Sequence, residues 1–335
     1  MTEGAARILL ALRGAGEARL SGEALSAQLG VSRAQIWKHV ETLRAAGYQV
    51  EGEPGGGYRL AAAPDRLYAE EVQPRLSTRW LARRLLWLDT TDSTNRVAAD
   101  LAREGAEHGT TVVAEGQSAG RGRLGRAFFS PPYANLYTSI VLRPQLDTAE
   151  APTLIQAAAI AVAETVADVL GDSDAVEIKW PNDVLLGGLK TSGILMELGA
   201  EATRVAFLVL GIGVNLNVPR ESFPDEFRAL ATSLFSHAGR RIDRVAFAQR
   251  LYHGLEEVLD AHAAHGFAAL RPRFEARFRM AGRSIRIRDL DGSETAGHCA
   301  GIDGDGALLL DGEDGRRRRV VAGDVTLVKG REGAA

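Results

Sequence analysis

Gly120-Arg121-Gly122-Arg123-Leu124-Gly125-Arg126, followed directly by Ala127-Phe128-Phe129-Ser130-Pro131-Pro132, decides how the middle of this chain is read. The first seven residues satisfy G-x-G-x-x-G, a pattern that binds dinucleotides only when it opens a helix straight after a strand. Paired prolines and aromatics cannot begin that helix, which argues against a Rossmann sheet. What remains is a backbone bare enough to approach a ligand closely. It carries three arginines whose planar forks suit carboxylate or phosphate oxygens, as in a loop closing over an anion. Standing alone, such a run also fits a solvated surface turn.

Outward from this loop, three more polar clusters sit at the ends of regular elements. Lys179-Trp180-Pro181-Asn182-Asp183 ends a strand and enters a turn, which places a compact cation where the strand stops. Asn182 and Asp183 offer oxygens suited to Mg²⁺ or a hydroxyl, and Trp180 suits core packing. Asp92-Ser93-Thr94-Asn95 precedes a helical pattern and reads equally as an N-cap or as ligand-binding groups. Gly211-Ile212-Gly213-Val214-Asn215 closes an apolar strand. Its glycines would admit a flat ligand, and Asn215 could pair with an adenine edge.

The β-rich runs at Thr110–Ala114, Leu136–Leu142, Val176–Lys179, Gly193–Glu197 and Val205–Val214 are interleaved with helical patterns at Thr153–Leu170 and Arg244–Ala264. Several connections are too short to hold a crossover helix, so an α+β domain with a mostly antiparallel or mixed sheet is expected. After Gly282, Asp-Gly turn sequences split short strands into a small β-barrel. Arg316 to Arg319 read as a solvated edge strand, or as a docking surface for an acidic carrier protein. His262 and His265 are expected on a solvated helix face, not in a metal site.

Residues 1–60 predict three helices and a hairpin. Ile8, Leu9 and Leu12 mark the first helix; the second runs from Ser21 to a left-handed cap at Gly30. The third opens on an S-x-x-Q capping box, Ser32 and Gln35, buries Ile36, Val40 and Leu43, and ends at Gly47. A strand at Tyr48–Val50, a turn through Pro54 and a strand at Tyr58–Leu60 complete a winged helix-turn-helix. Ala61-Ala62-Ala63-Pro64 suits a boundary. Seven basic and six acidic residues leave this segment only +1, a weak footprint for DNA, so two copies on paired half-sites would be needed. Ser32, Arg33, Gln35 and Lys38 are the expected DNA contacts.

Length and composition agree with two or three folded domains: 335 residues, 45% hydrophobic, 25% charged and net −3. A lone cysteine, Cys299, and the lack of a leader-like start point to the cytoplasm. The longest apolar stretch, around Val205–Val214, is too short to cross a membrane.

Ser93-Thr94-Asn95, Gln117 with Gly120 to Arg126, Lys179 to Asp183, Lys190 with Gly193-Ile194-Leu195, and Gly211 to Asn215 together resemble the biotin protein ligase family in order and spacing. With the winged helix in front, nearly the whole chain resembles the family's bifunctional ligases and biotin operon repressors. The resemblance implies a winged helix-turn-helix (1–63), a linker (64–79), a class II synthetase-like mixed α/β catalytic domain (80–280) and an SH3-like barrel (281–330). It implies biotin held by Ser93, Thr94, Asn95, Gln117, Gly120, Arg121, Gly122, Arg123, Lys179, Gly193 and Gly213. Nucleotide would meet Arg123, Phe128, Asn182, Lys190 and Asn215, with Phe128 where relatives often carry a tryptophan lid. Lys179, Arg121 and Arg123 would be catalytic, and Asn182 and Asp183 would hold Mg²⁺. The implied partners are ATP, the carboxyl carrier protein of acetyl-CoA carboxylase or a similar carrier, and operator DNA. A homodimer promoted by biotinyl-5′-AMP through the catalytic sheet is also implied. A lipoate ligase and a sensor-repressor without efficient ligation are the alternatives.

Overall fold

The computed structural model describes residues 1–53, 55–201, 204–289 and 291–327. Pro54 of the expected wing turn and residues 328–330 of the expected C-terminal domain lie outside them. The chain forms two compact units, residues 1–66 and 67–335.

The first unit contains α1 (Glu3–Ala15), α2 (Gly22–Leu29), α3 (Arg33–Ala45) and the hairpin of β1 (Gln49–Glu53) and β2 (Gly57–Ala62). Ser21 caps α2 by accepting from the Ala24 N–H, and Gly30 at φ 69° ends it. Both halves of the α3 capping box form: Gln35 N–H donates to Ser32 Oγ at 3.3 Å and Ser32 N–H to Gln35 Oε1 at 2.9 Å. Ile36, Val40 and Leu43 are fully buried, as are Ile8, Leu9, Leu12 and Leu25, so the three helices close one core. Reciprocal backbone bonds between Leu20 and Tyr58, at 2.9 and 2.8 Å, fasten the hairpin beside the helices.

The second unit begins earlier than a linker reading allows. Residues 67–79 include α4 (Ala69–Val72), and Leu67, Val72 and Leu76 are buried in the unit's main core. Then follow β3 (Leu85–Thr91), α5 (Thr94–Arg103), β4 (Thr111–Gln117), β5 (Leu136–Leu142), α6 (Pro152–Leu170), β6 (Val176–Lys179), β7 (Asp183–Leu186), β8 (Leu189–Glu201) and β9 (Arg204–Val214). Three helices, α7 (Asp225–Arg228), α8 (Leu234–Ala238) and α9 (Arg244–Glu275), complete this part. The seven-stranded sheet has the order β3-β4-β5-β9-β8-β7-β6. Only β3 and β4 run parallel; every other pair is antiparallel.

Strand alternation sends Val113, Ile140, Leu208 and Leu210 to one face, where α6 and α9 join the same core, and Val112, Val141 and Val209 to the other, under Ala98, Ala99 and Ala102 of α5. By length and composition α6 could cross a membrane, at mean hydropathy 1.6, which the sequence reading of Val205–Val214 as the longest apolar stretch had passed over. In the fold, thirteen of its residues are buried, ten of them in this core.

The C-terminal sheet is antiparallel, β10 (Ser284–Arg288), β11 (Glu294–Ile302), β12 (Leu308–Gly312), β13 (Arg317–Val320) and β14 (Asp324–Leu327), in the order β13-β12-β11-β10-β14. Its Ile285, Ile287, Ile302, Leu308 and Leu310 belong to the same core as α6 and α9, so it packs as part of the second unit. Arg317 pairs with Asp311, Arg318 with Asp314, and Arg319 with Asp303 and Asp305. Three of the four arginines of this run are therefore paired within the sheet, which takes away much of the support for an acidic-carrier dock.

α9 extends beyond Ala264 to Glu275, with a break at Gly266 (φ 69°), and His262 is buried, contrary to the solvated face expected from sequence. Thr153 Oγ1 donates to Glu150 O at 2.6 Å, so it accepts from His262 Nε2 at 2.7 Å, and Nδ1 is left buried without a partner. Burial holds this imidazole below its ordinary pKa, partly opposed by Glu150. The folded state thus binds fewer protons here than the unfolded one. The stability it contributes is present above about pH 6.5 and lost as pH falls through the lower folded value. Melting midpoints between neutral and mildly acid pH should fall less steeply in His262→Gln; identical slopes would refute the assignment.

Candidate functional site

The sheet supplies the site's floor. Gly193 of β8 and Gly213 of β9 lie opposite each other, and Gly213 also faces Tyr137 of β5. A Cβ at Gly213 would stand 2.7 Å from the Phe128 ring, and one at Gly193 would stand 3.0 Å from Lys190 Cε. Bare backbone here is what lets the phenyl ring and the lysine lie directly on the strands. Phe128 meets Tyr137 edge-on, ring centres 6.4 Å apart.

One wall comes from the start of α5. Ser93 occupies the N-cap position but makes no side-chain cap bond, so the N-cap reading holds only for its place. Thr94 N–H and Oγ1 both donate to Gln117 Oε1, at 2.9 and 3.1 Å, and Gln117 Nε2 donates to Ser130 Oγ at 3.0 Å. Ser139 Oγ lies 2.8 Å from Thr94 Oγ1 and 2.6 Å from Asn95 Oδ1. Ser93, Thr94 and Asn95 are nearly inaccessible to solvent. Polar groups locked by one another at the rim of an apolar floor form a preorganised surface for a small polar ring.

The glycine-arginine segment forms a small hairpin: Gly122 N–H donates to Arg126 O at 2.7 Å, and Phe128 N–H to Gly120 O at 2.9 Å. It opens no long helix, which agrees with setting the dinucleotide pattern aside. The resulting pocket gathers Ser93, Thr94, Asn95, Gln117, Arg121, Gly122, Phe128, Asn182, Lys190, Gly193 and Gly213 from the sequence expectations. Tyr137, Ile194, Leu195, Gly211 and Ile212 also line it. Gly211 belongs to the pair of glycines expected to admit a flat ligand, and Ile194, Leu195 and Ile212 lie within the motifs quoted from the sequence; Tyr137 alone was passed over, because a strand residue in an apolar run carries no signal of which face it turns to. Arg121 also borders a wider groove with Arg96, Arg103, Glu197, Leu198 and Phe207.

Several expected residues stand elsewhere. Lys179 and Arg123 are absent from the pocket wall. On β6, Lys179 shares a face with Glu177, opposite the buried Val176 and Ile178. Lys190, whose Nζ lies 2.7 Å from Asp183 Oδ1, stands in the pocket wall with Arg121. Backbone bonds to Leu230 and Thr232, 2.8 and 2.9 Å, hold Lys190 on both sides. Arg123 turns toward Gly323 O, 3.2 Å, and Asn182 Oδ1, 3.4 Å, and burial pushes its pKa down against the pull of Asp183 and Asp324. Gly120 lies under Ser130 and Phe128 O, leaving no room for a side chain.

Asn215 is not open to an adenine. Its Nδ2 donates to Thr232 O at 3.1 Å and its Oδ1 accepts from Asn135 at 3.2 Å, so both polar atoms are used inside the core. Asn182 and Asp183 are each held by neighbours. Asn182 Nδ2 donates to Ile194 O at 2.9 Å, and Asp183 is paired with Lys190. No group of three or more His, Cys, Asp or Glu side chains converges among the described residues. Trp180 is core, as expected, and its Nε1 donates to Gly306 O at 3.0 Å, tying the turn to the C-terminal sheet.

Residues 87–215 match the Biotin/lipoate A/B protein ligase family, 5–59 an HTH domain, and 281–328 the Biotin protein ligase C terminal domain. The chain is 38% identical to the Bifunctional ligase/repressor BirA of Bacillus subtilis over 93% of its own length and 95% of the relative's. The chain belongs to the bifunctional ligase/repressor family. Its likeness to the family's Escherichia coli BirA is 35% identity over 95% of this chain and 96% of that one. Among solved structures, the biotin protein ligase of Aquifex aeolicus in complex with biotin and ATP superposes with a TM-score of 0.64 at 27% identity. That superposition covers 74% of this chain and all of the other, which this family member extends.

Proposed function

We propose that this chain condenses biotin with ATP to biotinyl-5′-AMP, transfers biotin to a lysine of a carboxyl carrier protein, and represses transcription in response to biotin. The observation that supports the chemistry best is Lys190 over the glycine floor, facing the locked polar wall of Ser93, Thr94, Asn95 and Gln117.

In this reading the wall holds the ureido ring of biotin and the floor takes its apolar body. The carboxylate oxygen attacks the α-phosphorus of ATP and pyrophosphate leaves. Carboxylate and triphosphate repel, and the ammonium of Lys190 with the guanidinium of Arg121 offsets that repulsion in a site shielded from water. Mg²⁺ arrives with the triphosphate as part of the substrate, and Asn182 and Asp183 are the side chains that would offer it oxygens. Phe128 leaves the floor as ligand enters and stacks on the adenine as a lid. The mixed anhydride is open to hydrolysis, and the hairpin at Gly120–Phe128 covers it. The carrier lysine enters past Arg121 through the neighbouring groove; its amine attacks the acyl carbon, AMP departs and the amine loses a proton.

Repression requires two copies. β7 pairs with β8 only as far as Gly193, and Met196 to Gly199 have β9 on one side alone, with Leu198 44% exposed. A second copy adding to this edge would continue the sheet, as exposed edges invite. Cytoplasmic residence fits a chain with a single cysteine, which can form no intramolecular disulfide.

The test is transfer of labelled biotin to a carrier domain with ATP and Mg²⁺, with lipoate as competitor. Labelling that needs ATP and ignores lipoate is expected. Tight biotin binding without labelling would instead make the protein a sensor-repressor.

A further inference from the structure

We infer that Trp37, on the exposed face of α3, reads a thymine in the major groove and supplies much of this protein's sequence selectivity. The inference rests on the DNA-binding reading of the first unit and adds the residue and the base.

The expected contacts are largely committed within the unit. Ser32 and Gln35 satisfy each other in the capping box, and Arg33 is paired with Glu23 at 2.7 Å. Three other arginines behave alike: Arg19 pairs with Glu51 and Glu53, Arg44 with Glu41, and Arg59 with Glu17 and Glu51. Exposed pairs of this kind are weak and can yield to a phosphate. Even so, a +1 unit that pairs its own arginines has little phosphate attraction to spend.

Beside Lys38 on the same outward face stands Trp37, 55% exposed, while Ile36 and Val40 behind it are fully buried. The element is the second helix of a helix-turn-helix, the one that lies in the major groove. An indole offers an apolar face and a single N–H donor, and no acceptor. Of the four bases, thymine alone presents a methyl group beside an acceptor, O4; guanine shows acceptors without a methyl, cytosine a donor, and adenine an acceptor flanked by a donor. The chemistry of the side chain therefore selects thymine.

The experiment uses the full-length chain with biotin and ATP to enrich a duplex from a random-sequence pool. The enriched duplex is then bound by wild type, Trp37→Ala, Trp37→Phe and Lys38→Ala across a salt series. Trp37→Ala should lose about tenfold or more in affinity per bound copy with an unchanged salt slope, whereas Lys38→Ala should flatten the slope by about 1. Trp37→Phe should retain part of the affinity. Uracil in place of one thymine per half-site, which removes only the methyl, should weaken wild type and leave Trp37→Ala unaffected. Wild-type affinity and selectivity in Trp37→Ala would overturn the inference. Should wild type itself enrich no sequence while biotin transfer proceeds, the DNA-binding reading fails and this inference with it.

Discussion

Lys190→Ala is expected to lower the rate of biotinyl-5′-AMP formation about 10²- to 10³-fold, the usual cost of one electrostatic contact aimed at a transition state. Lys179→Ala, on the edge strand of the same sheet face, should lower it less. The two lysines are separable because their places differ: Lys190 lies on the pocket wall over Gly193, while Lys179 stands on the edge strand of the same sheet face, opposite Asp183 and two strands from Gly193. The backbone of Lys190 is held by Leu230 and Thr232 independently of its side chain, so alanine should leave the fold intact. Single-turnover pyrophosphate release with saturating biotin and ATP reads the chemical step alone. The reverse ranking, with Lys179→Ala the damaged variant, would return the charge to the strand end that sequence reasoning chose.

The second large effect is on stability. Glu115 of β4 and Arg244 of α9 are both fully buried and bonded at 2.8 Å. Glu115 also accepts from Leu67 N–H at 2.8 Å and Trp87 Nε1 at 3.0 Å, and Arg244 donates to Asn135 O at 3.2 Å. Glu115→Ala strands a guanidinium in the core and orphans two donors, at a cost of about 3–5 kcal/mol. For a unit of this size that lowers the melting midpoint by about 10 °C. Glu115→Leu with Arg244→Met should recover much of the loss, because two charges leave together. An unchanged midpoint in Glu115→Ala would contradict the ledger. The pair lies two residues along β4 from Gln117, so loss of biotin affinity is expected alongside.

Much of this protein was legible in local pattern. The capping box, the buried stripe of Ile36, Val40 and Leu43, the glycine cap at Gly30 and the strands Leu136–Leu142 and Val176–Lys179 each depend on residues a few positions apart. Propensity and periodicity act at that range, so sequence suffices. The same holds for the pocket's polar wall and glycines, which belong to short motifs at element ends. Less legible were β3 and β7: the second begins on the last residue of a turn motif and is only four residues long.

Composition, periodicity and motif spacing by themselves determined an α+β chain with a winged helix in front, a ligand-binding middle and a small β end. Only tertiary structure decided which members of each motif face the ligand. Lys179 and Lys190 are alike as residues; strand pairing placed Lys179 on the edge strand opposite Asp183 and Lys190 directly over Gly193. Asn215 and Asp183 were spent on partners distant in sequence or brought near by the hairpin. A side chain's chemistry is written in the sequence. Its availability depends on what the folded chain places within hydrogen-bonding distance of it.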